Sequence, residues 1–130
     1  MTMWYDHAII RLVPRPEREE FVNVGVIVSC ASARFLEARI VVDESRLAAF
    51  CPALDIDAVR THLQAIPRIC EGGHRAGPLG TLTQRERFHW LVAPRSAAIQ
   101  TSAVHTGRCA DPAMALDHLV RAMVLVGGSP

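Results

Sequence analysis

The sequence predicts an α+β fold in which an antiparallel sheet of about four strands packs against two to four helices in two layers. Alternating apolar residues indicate strands early in the chain, short links join the first three strands into a meander, and apolar residues at helical spacing dominate the second half. The 130 residues are 50% hydrophobic and 21% charged. This composition is typical of one globular domain, predicted over residues 1–130.

Two strands open the chain and flank a loop crowded with charge. Alternation predicts strand one over residues 5–13 and strand two over residues 21–29. In strand two, Asn23 and Gly25 fall on the face opposite a row of valines. Four valines at alternate positions are predicted to share one buried face: Val22, Val24, Val26 and Val28.

A third strand and two helices are predicted to follow. Residues 34–42 alternate as a strand, and residues 44–51 favour a short helix. Asp55 is a suitable N-cap for a longer helix whose apolar residues recur at helical spacing. Pro67 is predicted to end or kink that helix, because proline lacks the N–H that an interior position donates.

The second half reads as a loop, a helix, a strand and a final helix. Residues 71–80 are rich in glycine and predict a loop, after which a capping box at residues 83–86 opens a helix through Trp90. Residues 99–105 alternate as a fourth strand. Asp111 as N-cap and Pro112 at the first helical position then begin the last helix.

That last helix is predicted to run to about Val126 and to stop at Gly127. Because the strands group early and the helices mostly follow them, all helices are expected on one face of the sheet.

Composition narrows the possible partners and location. Every basic residue is arginine, and the net charge of +1 gives no general attraction to nucleic acid or acidic membranes, although a local arginine cluster leaves a nucleic-acid partner open. The N-terminus lacks the pattern of a signal peptide, and no apolar run is long enough for a membrane helix. The protein is therefore expected to be cytoplasmic and to have no membrane partner.

The cysteines and histidines do not form a recognisable metal motif. Four cysteines are widely scattered, with no Cys-x-x-Cys and no pair of histidines three to five residues apart. Reduced thiols are expected, and neither a metal site nor a cofactor is predicted.

The most informative site candidates lie around the first loop. Pro14 and Pro16 are expected to hold Arg15 extended, which would aim its guanidinium outward. A solvated turn is the competing interpretation. Arg11 lies between apolar residues inside strand one, so its charge must be paired or face a groove. Glu20 and Asn23 begin the neighbouring strand and would meet it there.

A second polar series continues this hypothesis. Arg95 precedes strand four, Gln100 lies within it and His105 ends it. Together with Arg11, Glu20 and Asn23, these residues are predicted to line one groove across the sheet.

The chain resembles a bacterial family catalogued as domain of unknown function thirty thirty-seven. Four segments carry the resemblance: Tyr5-Asp-His-Ala-Ile-Ile-Arg11, Pro14-Arg15, Glu17-Arg-Glu-Glu-Phe-x-Asn-Val-Gly-Val-Ile27, and Arg95 to Pro112 with Gln100 and His105. The resemblance implies small bacterial proteins often encoded beside HipA-like kinases, and it supplies no catalytic assignment. The motif positions that transfer are Arg11, Arg18, Glu20, Asn23, Gly25, Arg95, Gln100 and His105.

Two functions from different classes follow from these residues. The first is a binding or regulatory protein, with a HipA-like kinase or another protein as partner, that holds a protein segment or an anionic ligand in the groove. The alternative is a small enzyme acting on a phosphate-containing or nucleic-acid substrate, in which arginines bind the anion and Glu20 or His105 is the general base. A purely structural subunit is the third possibility.

Overall fold

One open antiparallel sheet organises the computed structural model, which describes residues 1–95 and 97–125. Its strands are β1 (Met3–Leu12), β2 (Val22–Cys30), β3 (Phe35–Ile40), β4 (Ile99–Thr101) and β5 (His105–Cys109). The spatial order is β3-β2-β1-β4, and β5 also pairs with β1. The first three strands form the predicted meander, and the predicted α+β class is confirmed.

Four α-helices accompany the sheet in the described residues: α1 (Glu44–Phe50), α2 (Ile56–Glu71), α3 (Gln84–Val92) and α4 (Pro112–Met123). Short 3-10 segments occupy Pro16–Arg18, Ala31–Ala33 and His74–Thr81, the last within the predicted loop. The side chains of four residues accept N-cap hydrogen bonds, three of them as predicted: Asp43, Asp55, Thr83 and Asp111. No helix in this part of the chain is long and apolar enough to cross a bilayer.

Helix α2 passes through Pro67 and does not end there. It continues to Glu71 and buries Ile69 and Cys70 against the core. An interior proline costs on the order of 3 kcal/mol, and burying two more apolar side chains offsets a loss of that size. Of the predicted end or kink at Pro67, the end is therefore wrong, because tertiary packing outweighs the local cost.

The predicted fourth strand is divided into two short strands on the same edge of β1. Thr101 of β4 lies opposite Ile10, and His105 of β5 lies opposite His7. Between them, the backbone N–H of Ile9 donates to Ser102 Oγ. His105 therefore belongs to a fifth strand, because residues 102–104 lie opposite only Ala8 and Ile9 of β1 and the extra residue interrupts the pairing.

A β-bulge overturns the prediction that four valines share one face of β2. Arg11 lies opposite Asn23 while Ile10 lies opposite Gly25, so Val24 is the extra residue. The bulge reverses the alternation, and Val22 and Val24 face one side of the sheet while Val26 and Val28 face the other. The alternation of apolar residues in one sequence does not reveal an extra residue inserted into a strand.

The sheet is covered on both faces, so the predicted two-layer packing is also corrected. On the three-helix face, α1, α2 and α3 pack over residues that include Ile10, Leu12 and Ile27. On the opposite face, called here the α4 face, α4 packs over Ile9, Val26 and Val28. Helix α4 takes this position because its buried apolar stripe packs against the second apolar side of β2. The stripe of α4 consists of Leu116, Leu119 and Val120.

The state of the cysteines and the end of α4 can also be compared with the predictions. The four cysteines are free, as expected, and Cys30 and Cys70 are buried. Helix α4 ends at Met123, while the predicted end at Val126 and the stop at Gly127 lie outside the described residues.

Because each face of the sheet has its own core, a charge in either core should prevent folding. We expect Val24→Asp and Val26→Asp each to abolish the cooperative urea transition followed by circular dichroism, since both side chains are fully buried. Val104→Asp is the control, because Val104 is 42% exposed. A cooperative transition in either core variant would contradict the two-core description.

Candidate functional site

A row of three polar side chains crosses the α4 face of the sheet. Strand register places Arg11 between Asn23 on β2 and Gln100 on β4. Residues directly opposite one another in antiparallel strands project from the same face and lie within reach of each other. Three of the sequence-predicted site residues are therefore brought together.

Arg11 is held in this row by an aromatic ring. Its guanidinium carbon lies 4.1 Å from the centroid of the Phe21 ring, a distance typical of a cation–π contact. Its Nε atom is buried and has no hydrogen-bond partner within residues 1–95 and 97–125. Phe21, which the sequence analysis left without a role, thus provides the apolar surface against which Arg11 packs.

Asn23 anchors the end of α4. Its Nδ2 donates to the carbonyl of Met123 over 3.0 Å, and Arg46 Nη1 donates to the carbonyl of Val124 over 3.1 Å. The last carbonyls of a helix have no partner inside the helix, so these two side chains satisfy acceptors that would otherwise need water. This structural role explains the polar residue at position 23 of an otherwise apolar strand.

Arg18 and Glu20 form a separate feature on the loop between β1 and β2. Arg18 Nε lies 2.5 Å from Glu20 Oε1, and both side chains are more than half exposed. The hydrogen bond from Arg18, followed by its charge, holds the pKa of Glu20 below its ordinary value of 4.5. Exposed pairs of this kind contribute little to stability.

A cavity of about 450 Å³, called here the loop cavity, opens beside this ion pair. One wall is formed by the loop, including Arg15, Arg18 and Glu20, and the other by residues 50–53 at the end of α1. Arg15 is extended, with φ −131° and ψ 93°, as its flanking prolines predict.

Arg95 and Gln100 line a second, more apolar cavity of about 290 Å³ between α2, α3 and β4. The Arg95 guanidinium stacks 4.6 Å from the Trp90 ring centroid and donates to the carbonyls of Trp90 and Ala93. Arg95 thus caps the end of α3.

Gly25 has a packing role in the sheet. A Cβ atom at this position would lie 2.6 Å from the backbone oxygen of Arg39 and 3.0 Å from the side chains of Ile10 and Ile40. Real Cβ contacts are not that short, so only glycine lets β2 and β3 approach at this point.

His105 lies at the other end of β1 from the polar row. Its ring is 5.6 Å from that of His7, its cross-strand partner. His7 Nδ1 is buried and lacks a partner in the described part of the chain. Burial lowers the pKa of His7 from its ordinary 6.5, the charge of His105 lowers it further, and Asp6 opposes both.

The eight predicted residues therefore occupy several places. Arg11, Asn23 and Gln100 form the row, Arg95 borders the second cavity together with Gln100, Arg18 and Glu20 border the loop cavity, and Gly25 and His105 lie apart. Sequence reasoning missed the cavity wall at residues 50–53. The signal there is weak, because Phe50 followed by Cys-Pro reads only as the end of a short helix.

The chain matches a known protein family over most of its length. A family model described as "Protein of unknown function (DUF3037)" matches residues 7–124. The chain belongs to this family. No curated protein and no solved structure matches it. The roles of the motif positions of this DUF3037 protein therefore rest on their geometry alone.

Across residues 1–95 and 97–125, no group of three or more His, Cys, Asp or Glu residues is arranged to hold a metal ion.

The geometry predicts different stability effects for two of the motif residues. We expect Asn23→Ala to lower the free energy of unfolding by about 1 kcal/mol, since it removes a hydrogen bond to the end of α4. Glu20→Ala should leave stability unchanged, because its partner Arg18 stays hydrated. Urea denaturation of both variants tests this contrast. A larger loss in Glu20→Ala than in Asn23→Ala would contradict the assigned roles.

The lowered pKa of His7 predicts a loss of stability in mild acid. As pH falls through 6.5, the unfolded chain takes up a proton that the folded protein still resists, so unfolding becomes more favourable. The loss continues down to the lowered pKa of the folded state. His7→Gln should flatten this part of the profile, measured by urea midpoints from pH 7.5 to 5, whereas the exposed control His118→Gln should not.

Proposed function

We propose that this DUF3037 protein is a binding protein that holds an anionic segment of a protein partner in the loop cavity. The observation that carries the proposal is the cavity itself. Its volume of about 450 Å³ lies within the range of pockets that bind compact ligands, about 300–1,000 Å³.

The charge of the cavity favours an anionic group. Arg18 is neutralised by Glu20 at 2.5 Å, whereas the side chain of Arg15 makes no hydrogen bond or ion pair within the described residues. Because Arg15 is exposed and its backbone is restrained by two prolines, little entropy is lost when its guanidinium meets a carboxylate.

The opposite wall favours an apolar neighbour of that carboxylate. Phe50 is 36% exposed, and Pro14, Pro52 and Ala53 add apolar surface around the same space. A peptide segment that carries an acidic side chain beside an apolar one satisfies both walls. A HipA-like kinase is the first partner to test, because the family resemblance implies neighbouring genes.

The enzyme alternative lacks a comparable observation. It requires Arg11, Arg18 and Arg95 around one anion, with Glu20 or His105 close by. In the described residues Arg18 is paired with Glu20, Arg95 caps α3, and His105 stacks on His7. We therefore favour binding over catalysis.

The test is calorimetric titration of the purified full chain with the HipA-like kinase encoded in the same genome. We expect Arg15→Glu to weaken binding at least about tenfold, equal to ~1.4 kcal/mol, because it places a carboxylate where the partner's anion lies. Ala53→Trp should weaken it similarly by filling the cavity. Both positions are exposed, so both variants should fold.

Arg68→Glu on the exposed side of α2 is the matched control, since it makes the same charge change away from the cavity. Equal loss of binding in Arg68→Glu would indicate a general charge effect and contradict the proposal. So would full affinity in both cavity variants, or the absence of kinase binding to the wild-type chain.

A further inference from the structure

Three sulfur atoms converge on the α4 face at the start of β1, far from the loop cavity. Met3 lies directly opposite Cys109 of β5. Met3 Sδ is 4.0 Å from Cys30 Sγ at the end of β2. Because paired residues of antiparallel strands project from the same face, the Cys109 side chain lies beside that of Met3. The neighbouring strands on both sides of β1 thus each supply one thiol, and β1 supplies the thioether.

We propose that Met3, Cys30 and Cys109 form a binding site for a monovalent copper ion. Thiolate and thioether sulfurs are soft ligands, and this combination selects Cu(I) among the common biological metals. The 4.0 Å between Met3 Sδ and Cys30 Sγ is short enough for one ion to contact both atoms. The site goes beyond the proposed binding function and shares no residue with the loop cavity.

The surroundings suit a small cation that enters from the surface. Cys30 is fully buried, whereas Cys109 and Met3 are partly exposed and mark the side of access.

Binding exchanges protons for the metal. Each thiol S–H bond breaks, its proton passes to water, and two Cu–S bonds form, while the Met3 thioether donates a lone pair. Copper remains Cu(I) throughout, and the product carries one net negative charge with two protons released. No oxidant or reductant is required.

Zinc is a poorer fit to the same atoms. Structural zinc sites are usually tetrahedral with four ligands from Cys, His, Asp or Glu. Among the described residues no such group of three or more exists. Metal motifs in a sequence are built from those residue types, so a site whose third ligand is methionine has no comparable sequence signal.

The test is anaerobic titration of the reduced full chain with Cu(I) in the presence of a competing Cu(I) chelator. We expect one Cu(I) per chain and thiolate-to-copper absorption in the near ultraviolet. Cys30→Ser and Cys109→Ser should each bind at least about 100-fold more weakly, since loss of outer-shell partners alone costs 10–100-fold. Met3→Leu should fall between these variants and the wild type.

The chain offers matched controls for each ligand. Cys70→Ser changes another buried thiol, Cys51→Ser another partly exposed one, and Met114→Leu a methionine that is 70% exposed. All three should keep the wild-type affinity. If Cys30→Ser fails to fold, Cys109→Ser and Met3→Leu still decide the question. Equal affinity in Cys109→Ser, loss of affinity in the controls, or displacement of Cu(I) by Zn(II) would overturn the assignment.

Discussion

The structure depends on hydrogen bonding along both edges of β1. One edge pairs with β2 from Asp6 to Leu12, and the other edge pairs with β5 and then β4. Buried backbone groups must be paired, because an unmade hydrogen bond in the interior is costly. A strand with neighbours on both sides meets that requirement along its length, and all other elements are positioned relative to it.

The β-bulge on β2 determines which residues of β2 lie on each face of the sheet. Because one extra residue reverses the alternation, β2 contributes Val24 and Ile27 to the three-helix face and Val26 and Val28 to the α4 face. The same bulge keeps Asn23 opposite Arg11. A strand that is apolar on both sides needs cover on both sides, and this requirement explains why α4 crosses to the face that the other helices leave open.

The two proposed sites lie beyond opposite ends of β1 and are physically independent. The loop cavity follows its last residue, Leu12, and the sulfur cluster contains its first residue, Met3. At roughly 3.3 Å per residue, a strand of this length separates them by about 30 Å. Between them lie Ile9 and Arg11, which serve the second core and the polar row. Either proposal can therefore fail without affecting the other.

The sequence alone determined the elements whose signals are local. The positions of the first three strands, the N-caps at Asp55, Thr83 and Asp111, and the extended Arg15 between prolines depend on neighbouring residues, and each agrees with the structure. The motif similarity also identified the family. Only the tertiary structure decided the bulge, the passage of α2 through Pro67, the divided edge strand and the position of α4. These features depend on which distant surfaces are available to bury apolar side chains, and that free energy outweighs local preference. The pairing of Met3 with Cys109 has the same origin, since 105 residues lie between these two positions and only the sheet register brings them together.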